Sequence, residues 1–374
     1  MNLDERRAQA ADTLAGLGGF HEPWMRDAFA RVPRHAFVPD TVWVWRDDAY
    51  RPLRAQDEPE AWAELVYDVQ QPVVTQVDDG TATDHGTLST SSISAPNAVF
   101  TMLDATDIQP GMKVLEIGTG TGYNAALLCE RTGSANVVSV EVDPLLVEAA
   151  TKRLHAAGCH PRVVWADGEQ GWPPEAPYDR IESTAALYLV PFAWVEQTRP
   201  GGLIVTPWKS ALQPHGLVCL QVSEDGASAA GHFRYPMSFM DLRGQRRPES
   251  LLDEIYTAAT WEESRDGQTN LDLSFLNDGF HARFALGLKL PGVHAEQRDS
   301  ADGTSWWLSA KDSWAYVRDG DVYQWGPRDL FTELDQAYQW WMNAGEPDLY
   351  RFGMTVDATG QRVWLDDPAR SWVI

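Results

Sequence analysis

Cysteine is scarce: Cys129, Cys159 and Cys219 are the only three in 374 residues, and none sits at metal-ligand spacing from another. An odd, scattered trio excludes a disulfide framework and a cysteine-held metal, and reads as three small apolar side chains. Long apolar runs are also missing, with nothing near the ~18 consecutive residues of a membrane span. The opening Met1-Asn2-Leu3-Asp4-Glu5 lacks the basic-then-apolar order of a secretory signal, so a cytoplasmic location is expected. Positive charge is short: 30 Lys and Arg face 54 Asp and Glu, a formal charge of −24. Such a surface repels phosphate backbones and argues against nucleic acid as a partner. A peptide or a cationic small molecule is tolerated better, and part of the charge serves solubility.

What is present is globular. Apolar residues make up 44%, and the length suits an α/β catalytic domain with a second module. Residues 4–31 read as two amphipathic helices broken at Gly16-Leu17-Gly18-Gly19. Residues 40–92 read as irregular, with a strand candidate at 72–75 and a flexible loop at 79–92 rich in Gly, Thr and Ser. So long a stretch running straight into a regular domain is expected to be functional.

From 95 onward strands and helices alternate. Helices are expected at 96–104, 123–130, 144–157 and 191–198, and strands at 114–117, 137–141, 162–165, 178–183 and 203–206. An antiparallel pair at 217–222 and 232–237 closes the series. After about 245 the alternation stops, and nine of the 17 tryptophans lie from Trp261 to Trp372. There 284–290 and 306–308 read as strands and 334–343 as a helix. The expected partition is 1–94, a helical and substrate-groove segment; 95–244, a Rossmann-like domain; and 245–374, an appended α+β domain. The C-terminal aromatics suit either a core or a peptide-binding face.

The chemistry centres on Val114-Leu115-Glu116-Ile117-Gly118-Thr119-Gly120-Thr121-Gly122, a strand followed by a glycine hairpin and a helix. Glycines are needed where the chain turns sharply and a ligand lies on the backbone. The acid at Glu116 would oppose a pyrophosphate but suits a ligand carrying an ammonium and a sulfonium. Glu141 closes the next strand, where a carboxylate accepts ribose hydroxyls, followed by Val142. Asp167-Gly168 after the third strand is placed to meet an adenine amino group. Together these point to a doubly wound, Rossmann-like class I methyltransferase sheet binding S-adenosylmethionine and releasing S-adenosylhomocysteine. The cofactor residues are Glu116, Gly118, Thr119, Gly120, Gly122, Glu141, Val142, Asp167 and Gly168; no metal site is expected.

Residues 20–240 resemble the protein-L-isoaspartate O-methyltransferase family. The resemblance is carried by Val32-Pro33-Arg34-x-x-Phe37-Val38-Pro39, Ile93-Ser94-Ala95-Pro96, the glycine motif, Asp167-Gly168-x-x-Gly171-Trp172 and Pro200-Gly201-Gly202. It implies that Ser94 lies beside the methyl-transfer centre and that the stretch before it lines a peptide groove. Here Thr90-Ser91-Ser92 replaces the family's usual Gly-Gln-Thr, and Asn97 stands where a His is common. With the Trp-rich extension, these departures resemble a subset associated with ribosomally made peptides, especially those crosslinked by ATP-grasp ligases (graspetides). That resemblance implies methylation of an ordinary aspartate in a modified precursor peptide, followed by collapse to aspartimide. Repair of isoaspartyl proteins is the alternative, and a non-catalytic binding protein a third.

A carboxylate of pKa about 4 is already ionised at neutral pH, so no general base is needed. Ser94 and Ser92 are the candidate catalytic hydroxyls, orienting the carboxylate or else capping the helix after them. Ser91, Ser92, Ser94 and Asn97 are the candidate substrate contacts, and His35 is expected to be structural. A monomer is expected.

Overall fold

Short β-branched runs bounded by helices with proline in the first turn build the centre of the molecule. Pro96 and Pro144 open the helices Pro96–Thr106 and Pro144–Ala156, where a missing N–H costs nothing. The computed structural model describes residues 2–212, 215–247, 251–300 and 303–374. Strands Arg162–Trp165, Val137–Glu141, Val114–Ile117, Tyr178–Ser183 and Thr198–Lys209 lie parallel in that spatial order. Val114–Ile117 and Val137–Glu141 are buried throughout, as covered parallel strands are. This is the expected α/β arrangement.

The sheet then continues antiparallel through His215–Val222 and Ser228–Pro236, the anticipated closing pair. It does not stop there. Phe352–Asp357 pairs with Ser228–Pro236, and Gly360–Leu365 and Trp372–Val373 follow, making ten strands. The tract 245–374 is therefore not a free-standing unit, because its last strands cover an edge that would otherwise expose unpaired backbone. One apolar cluster runs from Leu115 and Ile117 through Phe284 and Leu288 to Trp341 and Val363.

The rest of the C-terminal tract is a five-stranded antiparallel sheet packed on the helix Leu330–Asn343. The strand expected at 284–290 is instead part of the helix Phe280–Lys289. Ala282, Phe284, Ala285, Leu286, Gly287 and Leu288 are all buried, so no polar face interrupts the run and its period is hidden. Trp314 is fully buried and stacks with Trp261 at 5.7 Å, in a small second core with Trp307. The tryptophan richness here goes into packing.

Helices Leu3–Gly16 and Pro23–Arg31 fall where expected. Residues 40–92 do not form the irregular stretch expected. They build a four-stranded antiparallel sheet, ordered Ala49–Arg54, Thr41–Arg46, Val73–Val77, Ser89–Ile93, together with the helix Pro59–Tyr67. Ser89–Ile93 replaces most of the expected loop at 79–92 and is a strand because Val73–Val77 pairs with it. Its own side chains, mostly small hydroxyls, carry no strand pattern.

Candidate functional site

The strand Val114–Ile117 delivers the chain into the glycine hairpin. Gly118, Gly120 and Gly122 have φ of 95°, 52° and 91°, a region that side-chain-bearing residues avoid. A Cβ on Gly118 would come within 2.9 Å of the Thr184 hydroxyl. A Cβ on Gly120 would project towards the Ser92 carbonyl at 3.5 Å, filling the cleft that Gly118, Thr119, Gly120 and Thr121 line. Gly122 lies behind that surface, against Leu154 and Ala150. The Thr119 hydroxyl bonds that of Ser139 at 2.5 Å, tying the hairpin to the next strand.

That next strand ends at Glu141, whose carboxylate faces the cleft. Its Oε2 accepts from the Gly120 amide at 2.9 Å, and its Oε1 accepts from Val142 and Asp143 at 2.9 and 3.1 Å. Burial is the main force raising its pKa. Val142 also lines the cleft and is 39% exposed, an apolar surface that suits a flat ring. Gly168 lines it too, whereas Asp167 is exposed outside the wall and caps its own turn through the Glu169 amide at 3.0 Å.

Glu116 departs further from expectation. It is fully buried on the face opposite Ile117, and Ile117 is the residue that lines the cleft. Its carboxyl accepts from Asn124 at 2.8 Å and from Ser139. Glu182, opposite it on the neighbouring strand, is also fully buried. Burial pushes Glu116 up to about 7 and Glu182 up to about 8, the latter helped by Glu116 itself. Glu116 thus braces the hairpin from beneath.

Ser91, Ser92, Ser94 and Asn97 all line the cleft on the side facing the hairpin. The helix beyond them is capped at Ala95 with no side-chain bond, so neither Ser92 nor Ser94 is used as a cap. The Ser91 hydroxyl accepts from Thr75 at 3.2 Å, and Asn97 Oδ1 accepts from the Ala98 amide at 2.7 Å. Their position depends on Arg34, which is fully buried. Its Nε donates to the Val66 carbonyl at 2.8 Å and its Nη2 to the Ile93 carbonyl at 3.2 Å, while its guanidinium lies 5.4 Å from the Tyr123 ring centre. His35 bonds Tyr67 at 2.6 Å away from the cleft, in a structural role.

A family model described as protein-L-isoaspartate(D-aspartate) O-methyltransferase matches residues 59–232. The protein-L-isoaspartate O-methyltransferase of Pyrococcus horikoshii is 34% identical over 206 residues, covering 55% of this chain and 78% of that protein. Protein-L-isoaspartate O-methyltransferase 2 of Archaeoglobus fulgidus is 32% identical over 247 residues, covering 66% and 96%. A solved protein-L-isoaspartate O-methyltransferase structure aligns with a TM-score of 0.53 at 20% identity, over 96% of this chain and 100% of that one, a likeness of fold.

This chain belongs to the protein-L-isoaspartate O-methyltransferase family. It is an S-adenosylmethionine-dependent carboxyl O-methyltransferase. The open backbone at Gly120, where a Cβ would project into the cleft, and the Glu141 carboxylate fit that cofactor.

The family match ends at 232, yet Tyr235 to Leu242, Arg243, Arg246 and Arg247 also line the cleft. Tyr188, Lys209 and His215 join them. Lys209 pairs with Asp241; Arg243 and Arg246 reach Asp79 at 3.3 and 3.0 Å. His215 is pushed down to about 3 by burial, then by Lys209, and is neutral. Sequence reasoning missed this wall, although three arginines between 243 and 247 of so acidic a chain were a signal. Among the described residues no tryptophan lines the cleft. A smaller pocket of about 390 Å³ shares His215, Pro236, Met237 and Ser238 with it and reaches Asn277, Phe280 and Arg283 of the C-terminal tract.

Glu141→Ala is expected to weaken S-adenosylhomocysteine binding about 10- to 100-fold, the scale of hydrogen bonds to a charged group; unchanged affinity by calorimetry would contradict its assignment. Glu116 and Glu182 hold protons in the fold that the unfolded chain releases near 4.5. Stability present below that pH is therefore lost as pH rises towards 8. Glu182→Gln, neutral throughout, should flatten the fall of Tm between about pH 5 and 8. Wild-type and variant Tm curves of equal slope would count against the buried pair.

Proposed function

We propose that the chain methylates the side-chain carboxylate of an aspartate in a ribosomally made, crosslinked peptide, and that the ester then closes to an aspartimide. The observation that carries this reading is the cleft itself. At about 1230 Å³ it exceeds the roughly 300–1,000 Å³ of common ligand pockets. About a quarter of the residues that wall it lie beyond the family match. A shaped, constrained peptide makes use of such a wall better than a flexible damaged segment does. The small hydroxyl residues Thr90, Ser91 and Ser92 leave room there.

S-adenosylmethionine supplies an electrophilic methyl group on sulfur. The chain's task is to hold a carboxylate that is already ionised, orient it and exclude water, which is catalysis by position. Ser94 and Ser92 have hydroxyls available to hydrogen-bond one carboxylate oxygen while the other points at the hairpin. Glu141 holds the ribose, and Val142 and Gly168 flank the adenine. After transfer, the backbone nitrogen of the residue following the aspartate attacks the ester carbon. It loses its proton as methanol leaves, and the five-membered imide remains. A crosslinked substrate is held nearer to that closed geometry. The C-terminal tract would reach the peptide through the side pocket at Asn277, Phe280 and Arg283.

The second reading, repair of isoaspartyl residues, is favoured by the names of the matched relatives. One assay separates the two. Offered side by side, a crosslinked precursor peptide is expected to gain about 14 Da and then fall to about 18 Da below its starting mass. Methylation of the isoaspartyl peptide alone would overturn the tailoring reading.

A further inference from the structure

A second stretch of the cleft wall, formed by Tyr188, Lys209 and residues 235–247, gathers several cations. Thr184 donates to the Gly118 carbonyl at 2.8 Å, anchoring one end of a segment that runs along this wall. Four residues later comes Tyr188, at most about 14 Å away along the chain. The Lys209 amide donates to the Leu187 carbonyl at 3.0 Å, which sets Lys209 beside Tyr188. The Lys209 ammonium lies 5.1 Å from the Tyr188 ring centre and the Arg247 guanidinium 4.2 Å. Two cations thus share one ring, and both line the cleft.

Their compensation is incomplete. Asp241 pairs with Lys209, while Arg247 has no carboxylate partner among the described residues. Arg243 and Arg246 are already engaged by Asp79, and Arg243 also by Asp143 at 3.6 Å. His215 is neutral and adds nothing. Arg247 is thus the cation of this wall without a paired carboxylate among the described residues, in a chain whose formal charge is −24. A guanidinium lying over a ring keeps its edge donors free, and that edge matches a carboxylate in two parallel bonds.

We propose that Tyr188, Lys209 and Arg247 form a subsite for the carboxylate of an acidic residue flanking the methylated one, within about four positions of it. The proposal rests on carboxyl transfer at the glycine hairpin, which both substrate readings share. The general field of the protein repels an acidic peptide, so the local cation selects where along the cleft its negative charge is accepted. The target carboxylate goes to the serines, and its neighbour goes to Arg247.

The test reads binding to the S-adenosylhomocysteine complex by fluorescence anisotropy, using two capped, labelled sets in parallel: aspartyl-glycine peptides carrying a side-chain ester or amide crosslink, and isoaspartyl-glycine peptides. In each set Glu, Ala or Lys is moved through the four positions on each side of the target residue. Glu at one position is expected to bind about tenfold tighter than Ala there, and Lys weaker. Arg247→Glu should invert that order at the same position, a reversal that loss of folded protein cannot produce. Equal affinities across the panel, absent binding, or a Glu preference that survives Arg247→Glu would overturn the subsite. Methylation of the same peptides, measured separately, tests the catalytic reading on its own.

Discussion

The Arg34 guanidinium is where three distant stretches of the chain meet. It donates to the end of the helix Pro59–Tyr67 at Val66, to the serine segment at Ile93, and lies against Tyr123, the first residue of the helix after the glycine hairpin. Burial lowers its pKa to about 10, which still leaves it charged at neutral pH. A charge buried on carbonyl oxygens and one ring face is tolerated only while each contact is kept, so small displacements are resisted. The Ser92 backbone is thereby held where it faces Gly120. Two sequence motifs some sixty residues apart, Val32-Pro33-Arg34 and Ile93-Ser94-Ala95-Pro96, become one mechanical unit.

A methyl-transfer site built this way needs little acid–base machinery. The acceptor is ionised in water, so the protein has only to place it, and placement is what the buried polar groups provide. Glu116, Ser139 and Thr119 brace the hairpin from below. Arg34 fixes the serines from above. The third side comes from 235–247, which brings cations to a protein otherwise poor in them.

Legibility of the sequence followed the physics of burial. Strands covered on both faces, such as 114–117 and 137–141, were readable to the residue because an apolar run flanked by turn residues has few other solutions. The glycine hairpin was readable because positive φ leaves a compositional mark. Ser89–Ile93 was not, since its partner defines it, and the helix Pro59–Tyr67 was missed although Pro59 and the spacing of Trp62, Ala63, Val66 and Tyr67 mark it. Glu116 was placed with the ligand by its motif, yet strand alternation turns it away. No local pattern could announce that 352–373 would return to complete the catalytic sheet, because that pairing spans more than a hundred residues.

The central claim is that a buried fork sets the serines against the hairpin, and Arg34→Lys tests it most directly, since the charge stays while the planar fork is lost. With the variant shown to be folded, kcat for carboxyl methylation is expected to fall about 10- to 100-fold while S-adenosylhomocysteine affinity stays within about twofold. An unchanged kcat, or a parallel loss of kcat and cofactor affinity, would contradict it.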